Sequence, residues 1–90
     1  MDYVQAYKDH QYLWSIGPAV DMTGAYVDQD DLARMLKTPT KAMAAHCLCT
    51  QIEYWFDVGP DNGKDRAMDV SELIRTNKGV REIAERHGQI

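Results

Sequence analysis

Three side chains able to ligate a metal or move a proton, His46, Cys47 and Cys49, fall within four residues of the stretch AAHCLCTQIEYWFDVG (44–59). Zinc sites need four ligands, and cysteine pairs that supply them carry at least two intervening residues. Here a single residue separates the thiols. On an α-helix, positions two apart point about 160° away from each other, so one ion cannot reach both. No second cysteine pair exists, and His10 and His87 stand alone in the sequence. Two ordinary helical cysteines are the expected reading, with no metal and no cofactor. His46 with Thr50 and Glu53 invites an acid–base reading, but Glu53 lies two helical turns beyond His46. No nucleophile or pocket motif accompanies them. Asp57, Asp61, Asn62 and Asp65 resemble an oxygen-rich cation loop but lack the alternating acids and closing glutamate of an EF-hand. No glycine-rich phosphate loop is present. The chain is therefore read as non-enzymatic.

The elements that position these residues are helical. DYVQAYKDHQYLWSI places Tyr3, Tyr7, His10 and Trp14 on one stripe, widened by Ala6 and Leu13, and Gly17-Pro18 ends it. VDQDDLARMLK predicts a short helix capped by Asp28, with Val27 and Leu32 as a staple and Leu32, Met35 and Leu36 facing inward. Thr38-Pro39 opens a third helix running to about Asp57, closed by Gly59-Pro60. Its main apolar face is Ala45, Leu48, Cys49, Ile52, Trp55 and Phe56. A second strip, Met43, Cys47 and Tyr54, makes it a central helix or one that shares a face with a partner. Asn62-Gly63 predicts a turn. Asp69 and Glu72 then form a capping-box pattern, with Met68 and Leu73 as its staple pair. Val70, Leu73, Asn77, Val80, Ala84 and His87 share a face if that helix is continuous, and Gly79 is where it would split.

These elements predict an all-α fold, a compact single domain over residues 1–90 with four to five helices around a central helix at about 39–57. Ninety residues suffice for one modest core. No apolar run reaches the ~18 residues a membrane span needs, and MDYVQAYKDH lacks the pattern of a secretory signal. Thiols too close in sequence to staple a fold suit a reducing compartment, so the expected location is cytoplasmic. The formal net charge is −4, with acids concentrated at Glu53, Asp57, Asp61, Asp65, Asp69 and Glu72. Such a surface disfavours phosphate backbones and suits a basic partner.

VDQDDLARMLKTPTKAM, the G-P-D-N-G-K-D-R turn and MDVSELIR together resemble the winged helix-turn-helix of excisionases and MerR-like regulators, over about residues 26–75. That resemblance implies a degenerate winged helix-turn-helix with a short hairpin near 58–68. Its recognition helix would be Thr40 to Cys49. DNA binding would then use Lys41, His46, Lys64 and Arg66. Where the family carries arginines and an aromatic, this chain has TKAMAAHCLC.

The leading expectation is a small acidic inhibitor or adaptor that blocks a cationic or nucleic-acid-binding surface of a protein target. Short acidic chains of this kind resemble inhibitors encoded by phages and other mobile elements. Asp28, Asp30, Asp31, Asp57, Asp61 and Asp65, with Met43 and Tyr54, would carry the contact. A homodimer through the second strip is the other partner reading, and a DNA-binding regulator is the alternative function.

Overall fold

A computed structural model describes residues 2–20, 41–61 and 67–90 of the chain. The helix expected over 28–37, the Thr38-Pro39 cap, the Asn62-Gly63 turn, and Asp28, Asp30, Asp31, Lys64, Asp65 and Arg66 lie outside those residues. The side chain of Lys41 is likewise not described. The described residues form an all-α structure of four helices: α1 (Tyr3–Ile16), α2 (Lys41–Val58), α3 (Val70–Thr76) and α4 (Lys78–Arg86), with no β-strand among them. α1 packs along α2, and α3 packs against α4.

Asp2 caps α1, its carboxylate accepting from the Gln5 amide at 2.9 Å. The face that α1 buries is Ala6, His10 and Leu13, all on the expected stripe, together with Asp9, which the sequence leaves off it, while Tyr3, Tyr7 and Trp14 lie at its margins. Those three aromatics are only half-buried. α2 fits its expected face well. Leu48, Ile52 and Trp55 are fully buried, with Ala45 and Phe56 nearly so, while Cys49 is half-buried. The second strip does not form one surface. Met43 is exposed, whereas Tyr54 and Cys47 are half-buried and Tyr54 packs against the core.

The segments that follow α1 and α2 run past each other. Val20 donates to the Gly59 carbonyl (3.0 Å) and Asp61 to that of Pro18 (2.8 Å), while the Trp55 indole N–H donates to the Gly17 carbonyl (2.9 Å). Isolated antiparallel bridges pair Ala19 with Pro60 and Asp61 with Ala67, the second falling where the resemblance implies a hairpin. Gly59 makes this junction possible. Its φ is +86°, and a Cβ there would sit 2.7 Å from the Met68 carbonyl oxygen. Gly59→Ala is expected to cost about 2–3 kcal/mol, the penalty of a strained backbone plus displacement of a backbone neighbour, read as a lowered urea midpoint.

Asp69 caps α3 by accepting from the Ser71 and Glu72 amides. The break before α4 falls at Asn77, two residues before Gly79. Asn77 leaves helical geometry (φ −123°, ψ 109°), and its side-chain oxygen caps α4 by accepting from Val80 at 3.1 Å. The same oxygen accepts from the Tyr12 hydroxyl at 2.9 Å. Arg81 donates to the Ile74 carbonyl, tending the open end of α3. Gly79 keeps the split helix against α1, because a Cβ there would lie 2.6 Å from the Tyr12 hydroxyl. Val80, Ile83 and Ala84 then join Leu13, Ile52, Trp55 and Phe56 in one core.

Candidate functional site

The buried polar residues among those described are Asp9, His10 and Gln51. Asp9 sits mid-way along α1 with 2% of its side chain exposed. Arg86 approaches as a fork, Nη2 to Oδ1 at 2.6 Å and Nε to Oδ2 at 3.2 Å. His87 Nε2 donates to Oδ2 at 2.9 Å, and Gln5 Nε2 donates to Oδ1 at 2.9 Å. Burial alone would raise the carboxyl, but the bonds from Arg86, His87 and Gln5 and the Arg86 charge outweigh it. Asp9 is held below the ordinary carboxylate range. The same contact raises Arg86. Each carboxylate oxygen already accepts two donors, so the group has no spare capacity for proton transfer. It ties the end of α4 to α1.

His10 is the second buried tether. Its ring stacks on Trp14 with centroids 4.0 Å apart and planes 12° from parallel. Nε2 lies 2.5 Å from Gln51 Oε1, an oxygen that can only accept, so Nε2 carries the hydrogen. Burial pushes the His10 pKa down, and the Gln51 bond offsets part of that. Cys49 lies against Ala6, Leu48 and Tyr7. Burial raises its thiol, and the nearby charges of Glu53 and Asp9 add to the rise, so it stays protonated and a poor nucleophile. His10 and His87 are therefore not isolated, as the sequence reading had them. Both are consumed by structural bonds, and the signal was invisible because their partners lie 41 and 78 residues away.

Protonation of these groups sets an acid limit on the fold. The folded-state pKa of His10 lies below its ordinary 6.5, and that of Asp9 below its ordinary 3.8. For both, the unfolded chain binds the proton more readily, so the stabilisation is complete above the unfolded pKa and is lost as pH falls. Urea unfolding is expected to show constant stability above pH ~7, a first decline below pH ~6.5 and a steeper one below pH ~4. Replacing His10 with Asn should remove the first decline and leave the second.

The exposed face of α2 is the remaining candidate. Ala42, Met43, His46, Thr50, Glu53 and Asp57 are all exposed and recur at helical spacing along one stripe. The Thr50 hydroxyl donates to the His46 carbonyl at 2.9 Å, a bond internal to the helix. Glu53 and Asp57 make no ion pair or side-chain hydrogen bond among the described residues. The last turn of α2 contains no basic residue. Asp57, in that last turn, opposes the partial negative charge of the helix C-terminus, an arrangement that costs stability. Of the expected contact residues, Met43 and Asp57 lie on this stripe, while Tyr54 and Asp61 are half-buried beside it. Of the residues implied by the winged-helix resemblance, only the His46 side chain is described, and it is exposed.

Among the described residues, no three His, Cys, Asp or Glu side chains converge as metal ligands. None of their helices is long and apolar enough to cross a membrane. No protein-family model, curated protein or solved structure matches the chain.

Proposed function

We propose that this chain is a non-enzymatic interaction protein that presents an acidic helix face to a basic surface of a protein target, acting as an inhibitor or adaptor. The observation that carries the reading is the pair Glu53 and Asp57. Both are exposed and unpaired among the described residues, and Asp57 lies in the last turn of α2, where the helix dipole disfavours an acid. An arrangement that costs the free protein stability is relieved by an external cation. The buried ionisable groups support the same reading, because Asp9 and His10 are spent on holding helices together. Asp61 adjoins the acidic end of α2. Asp28, Asp30, Asp31 and Asp65 would extend the surface from outside the described residues. A target that ordinarily binds nucleic acid fits, since such a surface concentrates cations that carboxylates can occupy.

Reversal of Glu53 and Asp57 to lysine separates binding from folding. The double variant should lose the proteins that the wild-type chain retains from a lysate of its source, identified by mass spectrometry, and raised salt should release the same proteins. It should meanwhile melt no lower than wild type. Retention of the same proteins by the double variant, or a gel shift of duplex DNA at low salt that depends on Lys41 and Lys64, would overturn the proposal.

A further inference from the structure

The acids occupy only one end of the exposed stripe. At the other end stands Met43, 64% exposed and the most exposed large hydrophobic side chain among the described residues. Between them the stripe offers His46 and Thr50, so no carboxylate, lysine or arginine separates the two ends. One rigid helix therefore fixes the distance from an apolar knob to a carboxylate pair. At the helical rise per residue this is ~15 Å from Met43 to Glu53 and ~21 Å to Asp57. Methionine is a frequent anchor at protein-binding surfaces because its unbranched thioether adapts to an irregular socket. A partner contact of this form is a helix laid along a groove, with anchors read at helical spacing.

We infer that the whole exposed face of α2, and not its acidic end alone, is the docking surface. Its occupant is a basic protein surface that also offers an apolar socket about 15–21 Å from its cations. Charge complementarity selects that occupant. A second copy of the chain would set Glu53 and Asp57 against its own acids if parallel, or against the Met43 end if antiparallel, and the described stripe carries no lysine or arginine to pair them in either case. The inference rests on the acidic-face proposal and narrows it.

Two synthetic polycations of equal length and equal charge density test it: one of arginine and serine in alternation, one of arginine and leucine. Binding is measured by fluorescence anisotropy at two salt concentrations. The arginine–leucine polymer should bind the wild-type chain at least several-fold more tightly. Met43→Asp should erase that preference while leaving the arginine–serine polymer bound as well as before or better, since the substitution adds an attractive charge. Glu53→Lys with Asp57→Lys should weaken both polymers. Equal binding of the two polymers, or a preference that survives Met43→Asp, would overturn the apolar anchor while the acidic-face proposal stands. Binding unaffected by the double lysine reversal would overturn the acidic face, and this inference with it.

Discussion

Asp9→Ala is expected to lower unfolding free energy by about 2–4 kcal/mol, the loss of four hydrogen bonds to one buried carboxylate, with the ion-pair part reduced because the Arg86 side chain is 37% exposed. The size follows from what is left behind. The His87 side chain is 3% exposed and would lose its acceptor, and Arg86 would keep its charge with neither of its two bonds. Gln5 would lose a partner as well. Arg86→Ala should cost a similar amount, because it leaves the Asp9 carboxylate, 2% exposed, with only His87 and Gln5 as donors. The double variant Asp9→Ala, Arg86→Ala should therefore be more stable than the two single losses added together. Chemical denaturation of the four proteins checks this. Additive losses would mean that the fork between α1 and α4 contributes nothing of its own.

Trp55→Ala should be at least as damaging, about 3–5 kcal/mol for truncating a fully buried indole. Trp55 is the largest of the fully buried side chains and meets Phe56 edge-on with centroids 5.1 Å apart. Its N–H also satisfies the Gly17 carbonyl, at the point where the chain leaving α1 crosses the chain leaving α2. Trp55→Phe tests the two contributions separately. It keeps most of the apolar area and strands one carbonyl, so about 1–3 kcal/mol is expected. A loss as large as that of Trp55→Ala would show that the hydrogen bond, not packing, dominates at this site. Thermal or urea unfolding of both variants distinguishes the two.

The contrast between Trp55 and Asp9 shows how much the sequence disclosed. α2 was legible because its residues obey local rules: an apolar face at helical spacing, and a glycine at the end whose positive φ permits the turn. The end of α1 was legible for the same reason. On α1 the expected Ala6, His10 and Leu13 are buried, but the face is shifted at its edges, because packing against α2 and α4 turned Asp9 inward and left Tyr3, Tyr7 and Trp14 half-covered. Nothing near Asp9 in the sequence announces Arg86 or His87, which follow it by 77 and 78 residues. The sequence leaves open whether 70–87 is one helix or two, with Gly79 as the place for a split, and the structure shows two. The split occurs at Asn77 because an asparagine side chain can cap the new helix and also accept from Tyr12, whereas glycine offers no acceptor. The candidate surface was partly legible. Glu53 and Asp57 stand together among the acids of the sequence, with His46 and Thr50 on the same helix, whereas Met43, expected on the second strip with Cys47 and Tyr54, joins them only once exposure defines the stripe.

The most direct test of the proposed function is to measure stability and binding together on Glu53→Lys, Asp57→Lys. Acids near the end of α2 that serve only solubility would have no partner to lose. Acids kept there for a basic target should give two opposite changes. The free double variant should be more stable, by about 0.3–1 kcal/mol for the reversal at Asp57, as the helix dipole then meets a cation. Retention of the protein target should fall at least tenfold. A double variant that is stabilised yet holds its target with unchanged affinity would contradict an acidic docking face on α2.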